Sequence, residues 1–311
     1  LLPLLLKEKK VQVKTLLTIH NLSYQGKTSI DVLNKLQIEA SRCAVLHWEI
    51  KSRKVSFLME GIIHADAITT VSPTYAKEIL TEEYGCGLED VLLGKEGRIF
   101  GILNGIDNNW HHMMANRMVK YPYLLTKENI VKNNGLKVYS WEEGKKLNKL
   151  YLQKKLGLKV DESIPLVSFI GRFDPYQKGV DIIHKMLLRT KLEKCEFVIL
   201  GSGDPNWEER FQWLAKFYPK NISCNFIFDE VLAHQIYAGS DFILIPSKFE
   251  PCGLIQMVAM FFGTVPIAHA TGGLRDSIKD DETGYLFNKY STASLENSLN
   301  KAIGIWSKDK K

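Results

Sequence analysis

Cysteine is scarce: Cys43, Cys86, Cys195, Cys224 and Cys252 are spread over 311 residues, odd in number and without a C-x-x-C pair. That spacing excludes a disulfide framework and a zinc ribbon, and it fits a reducing, cytoplasm-like compartment. Long apolar runs are also lacking. The longest, Leu254 to Ala270, is broken by Gln256, Gly263, Pro266 and His269, which argues against a membrane span. The opening LLPLLL is too short for a signal-peptide core and has no basic flank, so a chain beginning on Leu1 reads as a piece of a longer gene product. There is no internal repeat, low-complexity tract or D-x-D metal motif.

What is present describes a folded protein. Hydrophobic residues make up 45% and charged residues 24%, which excludes disorder, collagen and coiled coil, and the length suggests two domains. The net charge of +6 is local: eleven Lys and Arg against three acids lie between Arg117 and Lys159. This stretch reads as a solvated connecting segment; a nucleic-acid patch would be expected to interleave aromatics and spread over a folded face.

Apolar runs of strand length alternate with helical-period segments in the C-terminal half, the pattern of a parallel sheet covered by helices. The expected strands are Leu166–Ile170, Glu196–Leu200, Asn225–Phe228, Phe242–Ile245 and Val265–Ala268, with helices near Gly179–Leu188, Trp207–Phe217, Val231–Ala238 and Leu254–Phe262. In the N-terminal half, Lys14–Ile19, Ala67–Val71 and Ile99–Leu103 read as strands, and Ser56–Ala65 and Thr74–Thr81 as helices. From about Trp110 to Gly157 periodicity is weak, and the segment reads as an interdomain connection.

Three loops of the C-terminal half carry chemistry. GRFDPYQKG, Gly171 to Gly179, follows the strand LVSFI and puts Arg172 and Lys178 at a strand's carboxyl end, where doubly wound sheets bind ligands. A planar fork and a point charge suit an anion; the plain alternative is a pair of surface charges. FEPCGL, Phe249 to Leu254, follows FILIPS, and there Glu250 can accept hydrogen bonds from sugar hydroxyls or serve as a helix-start acid. Cys252 has no neighbouring base and reads as packing rather than a nucleophile. HATGGL, His269 to Leu274, supplies glycines for close backbone approach, with a helix expected from about Leu274. In the N-terminal half, His20 alone reads as a structural histidine, but two loops at strand ends, Thr18 to Gly26 and Gly101 to Asp107, offer candidate sugar contacts.

In this order, HNLSYQG, TTVSPTY, GILNGID, GRFDPYQKG, LGSGDP, YAGSDFILIPSKFEPCGL and ATGGLRDS resemble bacterial-type glycogen synthases and plant starch synthases, from about Thr18 to Trp306. Relatives that make sucrose or cell-wall sugars usually carry a second Glu eight residues after the first; Val258 stands there, which favours the glycogen-synthase branch. The resemblance implies an α/β fold of GT-B architecture with two Rossmann-like doubly wound domains, the N-terminal one incomplete. Residues 1–157 would form the acceptor-side domain with its connection, and 158–311 the nucleotide-sugar domain. It implies a retaining glucosyltransferase that moves glucose from ADP-glucose to the non-reducing end of an α-1,4-glucan, in the cytoplasm or a plastid stroma. ADP-glucose and the glucan are then the partners, with no nucleic acid, membrane or cofactor.

Residue by residue, the resemblance makes Arg172 and Lys178 the grip on the donor diphosphate, helped by amides of Thr271, Gly272 and Gly273. Glu250 would hold glucose hydroxyls beside the backbone donors Cys252, Gly253 and Leu254, and His20, Asn21 and Asn104 would reach glucose from the other domain. Phe228 stands where the family stacks an aromatic on adenine. Arg172, Lys178 and helix N-termini can stabilise a departing diphosphate without a metal, and a front-face, ion-pair-like route is expected for retention. The family's opening K-x-G-G-L loop and its closing helix back to the N-terminal domain are not found. The chain is therefore expected to lack both ends and not to elongate glucan by itself. The alternatives are a related GT-B transferase with another acceptor and a noncatalytic glucan- or nucleotide-binding fragment.

Overall fold

The structure, a computed structural model, describes residues 2–36, 38, 54–107, 118–124, 138–189 and 194–309. Cys43 and part of the basic segment, including 125–137, lie outside the described residues. The chain divides into two units, Leu1–Asn104 and Gly105–Lys311.

The first unit runs α1 (Leu2–Glu8), β1 (Leu16–Ile19), β2 (Lys27–Ser29), α2 (Asp31–Lys35), β3 (Lys54–Ser56), α3 (Phe57–His64), β4 (Ala67–Thr70), α4 (Pro73–Glu78), α5 (Glu89–Leu93) and β5 (Ile99–Gly101). The three expected strands form a parallel sheet of order β1-β4-β5, each slightly shorter than the apolar run that announces it. Asp66 ties the first two together ahead of the ladder, its Oδ2 accepting from the Thr15 amide at 2.7 Å and the Thr15 hydroxyl at 2.9 Å. Two serines set the helix starts: Ser56 Oγ accepts from the Met59 amide and Ser72 Oγ from the Tyr75 amide, the latter with Pro73 in the first turn. The antiparallel pair β2–β3 and the helix α1 were not anticipated. The leucine run that opens the chain forms α1, which packs on α3 and buries Leu4.

The second unit begins with β6 (Tyr123–Leu124), β7 (Tyr139–Ser140) and α6 (Trp141–Lys155). It continues with β8 (Leu166–Ile170), α7 (Val180–Leu187), β9 (Glu196–Leu200), α8 (Pro205–Phe217), β10 (Ile222–Asn225), α9 (Glu230–Gly239) and β11 (Phe242–Ile245). It ends with α10 (Ile255–Phe261), β12 (Val265–His269), α11 (Gly272–Ser277), β13 (Tyr285–Phe287) and α12 (Thr292–Asp309). Strands β8 to β13 form one parallel sheet of order β10-β9-β8-β11-β12-β13, the doubly wound arrangement. The central strands are buried along almost their whole length, because helices cover both faces and each run is continuously apolar.

Four expectations are corrected here. The sheet has a sixth strand, β13, whose three residues are too few to stand out in sequence. Asn225–Phe228 is not a strand: β10 lies at Ile222–Asn225, because Asp229 caps α9 and the intervening residues form the loop into it. Helix α11 starts at Gly272, two residues before the expected position. The supposed connection contains the fifteen-residue helix α6, which belongs to the second compact unit. Helix α6 is capped by Ser140 and packs along α9, with acids in its first turn and lysines in its last. Its buried face is polar, made of Asn148, Lys149 and Gln153 beside Gly144 and Leu152. A hydrophobic-period reading passes over such a face.

Candidate functional site

Order reverses between β8 and β11, whose neighbours lead away in opposite directions, and the loops leaving their carboxyl ends bound a crevice. The GRFDPYQKG loop leaves β8. Asp174 shapes it, its Oδ1 accepting from the amides of Tyr176 and Gln177 at 2.9 and 3.2 Å. Gly179, at φ 70°, then turns the chain into α7; a side chain there would also strike the Pro246 carbonyl. This places Lys178 Nζ 2.6 Å from Glu250 Oε2, in the loop leaving β11. Ser247 Oγ donates to the same oxygen at 2.9 Å, and His269 Nδ1 lies 2.9 Å from the Ser247 carbonyl.

The sequence motifs therefore meet. Arg172, Lys178 and Glu250 line adjoining loops, and Arg172 Nη2 donates to Gln177 Oε1 at 3.1 Å. Both hydrogen bonds to the Glu250 carboxylate fall on Oε2; among the described residues Oε1 has none, and Lys178 uses one of its three donors. The pair is well buried, its side chains 15% and 10% exposed.

In the third loop, backbone amides already have partners inside the protein. The Thr271 amide donates to the His269 carbonyl and the Gly273 amide to the Glu250 carbonyl, at 2.9 and 3.0 Å, so two of the three amides implied for the diphosphate are engaged. Gly273 also serves contact. A Cβ there would lie 2.1 Å from the Cys252 carbonyl oxygen, so glycine lets α11 seat against the FEPCGL loop. Cys252 is buried and packed, and its carbonyl accepts from Gln256 Nε2 at 3.1 Å. Gly253 takes φ 71° ahead of half-exposed Leu254 and the start of α10.

Arg172 also lines a pocket of about 340 Å³. Its walls are the ends of β8 and β9, at Ile170 to Arg172 and Leu200 to Ser202, and the loop from Ile227 into α9, with Ala233, His234 and Tyr237. Phe228 is 95% exposed at its rim, a ring free on its faces. Gln177, Ser247 and the wall residue His234 were not among the expected site residues. Gln177 lay inside a recognised motif, but an uncharged residue between two cations gives no sequence signal.

In the first unit, His20 is exposed directly after β1, Asn21 Oδ1 accepts from the Ser23 amide at 3.0 Å, and partly buried Asn104 follows β5. Each stands at a carboxyl end of that unit's own sheet.

A doubly wound sheet with cations, an acid and a nucleoside-sized pocket at its switch point has the outline of a transferase that uses activated sugars, and the comparisons define which. Residues 152–311 match the profile of glycosyl transferases group 1, and residues 1–94 that of the starch synthase catalytic domain. The chain belongs to the group 1 glycosyl transferases. Within that family its similarity is to glycogen and starch synthases. It is 43% identical to the glycogen synthase of Petrotoga mobilis over 100% of this chain and 63% of that protein. It is 38% identical to that of Lactococcus lactis, over 99% and 64%. The chain thus spans less than two thirds of these relatives' length. Among solved structures, the catalytic domain of starch synthase IV from Arabidopsis thaliana, bound to ADP and acarbose, aligns at TM-score 0.81 with 31% identity, over 97% of this chain and 62% of that one. Sucrose-phosphate synthase from Thermosynechococcus elongatus aligns at 0.58 with 18% identity over 97% and 62%, a likeness of fold. These are GT-B glycosyltransferases, and the α/β fold class expected from the sequence is theirs.

Proposed function

We propose that this chain carries the nucleotide-sugar site of a glucan synthase, which transfers glucose from ADP-glucose to the non-reducing end of an α-1,4-glucan with retention. The observation that supports this best is the half-used pair: Lys178 and Glu250 compensate each other, yet the pair keeps two ammonium donors and one carboxylate oxygen for other partners. Spare hydrogen-bonding capacity on a charged pair at a switch-point crevice suits a polar ligand. The free donors suit a diphosphate and the free oxygen suits a sugar hydroxyl.

In this reading adenosine occupies the pocket beside β8 and β9 with its base against Phe228, and the diphosphate extends to Arg172 and Lys178. The bond from glucose C1 to the β-phosphate oxygen breaks, its electron pair stays on ADP, and the two cations stabilise that charge in a partly desolvated setting. The acceptor hydroxyl attacks C1 from the side ADP leaves, which retains configuration, and passes its proton to the departing β-phosphate oxygen. Glu250 holds glucose hydroxyls, and the implied glucose contacts of His20, Asn21 and Asn104 belong to the same reading. Cations rather than a resident metal meet the electrostatic need. The similarity to starch synthase IV, whose structure holds ADP and acarbose, supports both the nucleotide and the glucan.

Because the chain by itself is not expected to elongate glucan, the test is to incubate a protein extended to its relatives' full length with a glycogen primer and labelled ADP-glucose or UDP-glucose. The reading expects label from ADP-glucose to enter glucan and to be released by an enzyme that cleaves only α-1,4 bonds. Transfer from UDP-glucose alone, or to another acceptor, would replace it.

A further inference from the structure

Strands β8 and β9 pair over five residues, whereas β8 and β11 pair only at Val167–Phe242 and Ser168–Ile243. Towards their carboxyl ends the two strands have parted, and the ladder no longer fixes the β8 loop, which carries Arg172 and Lys178, against the β11 loop, which carries Glu250. Besides Lys178, which pairs with Glu250, Gln177 spans that gap. Gln177 is 5% exposed; its Oε1 accepts from Arg172 Nη2 at 3.1 Å, and its Nε2 donates to the Phe249 carbonyl at 3.5 Å. Its backbone carbonyl accepts from the Lys248 amide at 2.8 Å. A neutral amide can accept from a guanidinium at one end and donate to a carbonyl at the other; a carboxylate can do only the first, and an alkyl chain neither.

We infer that Gln177 is a positioning residue that orients the Arg172 guanidinium against the β11 loop, so that Arg172 and Lys178 form one anion site for the donor diphosphate. The inference rests on the reading of Arg172 as a diphosphate contact. In this reading Gln177 acts through Arg172. Its neutrality matters as much as its reach: a charge at this position would hold Arg172 as an ion pair and lower the positive potential that the diphosphate meets.

Titration calorimetry of the wild-type chain, Gln177→Leu and Gln177→Glu with ADP and with adenosine tests this. Adenosine lacks the diphosphate and reports folding and the base pocket alone. Gln177→Leu is expected to bind adenosine within about twofold of wild type and ADP about tenfold more weakly, the scale of one charge-assisted hydrogen bond. Gln177→Glu should lose at least as much ADP affinity and regain part of it as salt is added, with adenosine unchanged. ADP binding like wild type in either variant, equal losses for ADP and adenosine, or failure of both variants to fold would overturn the inference and leave Gln177 a packing residue. A wild-type chain that binds neither compound would overturn the nucleotide reading together with it.

Discussion

The second sheet has a lysine–carboxylate pair at each of its two edges, and both close to 2.6 Å. At the amino edge, Asp241 precedes β11. Its Oδ2 accepts from Lys149 Nζ and from the Leu166 amide, and its Oδ1 from Trp306 Nε1. Lys149 also donates to the Glu162 carbonyl and lies over the Trp306 ring. Its neighbour on the helix, Lys145, donates to the carbonyls of Tyr237 and Phe262 and to the Thr264 hydroxyl. At the carboxyl edge, Glu250 takes both its bonds on one oxygen and Lys178 makes one. Burial is similar, so burial does not separate a structural pair from a chemical one. Saturation does: the first pair is consumed in fixing α6 and α12 to the sheet, and the second keeps valence to spare.

The largest effect should come from breaking the saturated pair. Asp241→Asn leaves Lys149 charged and uncompensated, and is expected to cost about 3–5 kcal/mol of stability in urea unfolding. ADP affinity of the folded protein should not change. A cost under about 1 kcal/mol would mean that the amino edge is not what anchors α6.

The converse substitution, Glu250→Gln, should barely move the melting temperature, since Gln can still accept from Lys178 and Ser247. In a protein of the relatives' full length, turnover should fall at least about a hundredfold, near 2.7 kcal/mol of transition-state stabilisation. A variant that melts early with turnover per folded molecule intact would make Glu250 another structural acid, and the two edges alike.

The two edges were also unequally legible in the sequence. At the carboxyl edge, glycines and prolines punctuate apolar strands, and Arg172, Lys178 and Glu250 stand at loop positions that strand-end logic picks out without knowing the fold. The amino edge was opaque because its partners are far apart in sequence: Lys149 with Asp241, Gln153 with Glu196 and Lys145 with Thr264. Helix α6 buries polar groups at helical spacing, so neither hydrophobic period nor motif marks it. Phe228 was recognised as an aromatic but misplaced at a strand end, since the Asp229 cap that sets it in a loop follows from a hydrogen bond and not from composition. The engagement of the Thr271 and Gly273 amides was likewise beyond sequence, because it depends on how α11 meets the loop of Glu250.

A pH experiment sharpens the amino-edge side. Glu196 receives a hydrogen bond from Gln153 Nε2 at 2.7 Å, but burial pushes its pKa up to about 7. Between the ordinary carboxylate range and pH 7 the folded protein therefore holds a proton that the unfolded chain has released, so this residue's contribution to stability falls as pH rises and is lost above about 7. Glu196→Gln keeps an acceptor for Gln153 and removes the titration. It should match wild type near pH 4.5 and exceed it by on the order of 2 kcal/mol at pH 8, read as a flatter curve of unfolding free energy against pH. Parallel curves would show that Glu196 is charged in the folded state throughout.

The smallest effect belongs to Phe228, and it tests whether the pocket and the pair form one site. Almost wholly exposed, the ring contributes little to the core, so Phe228→Ala should leave the melting temperature unchanged. Stacking a base on an aromatic face contributes about 1–3 kcal/mol, and a ring this accessible to water belongs at the low end, so ADP should bind about fivefold more weakly. Phe228→Tyr keeps the face and should bind like wild type. Because the loss lies at the base and not at the phosphates, adenosine should weaken by the same factor as ADP, while inorganic pyrophosphate should not respond. An alanine variant that weakens pyrophosphate as well would place the ring among the groups that shape the anion site, and the pocket and the half-used pair would then be a single binding element.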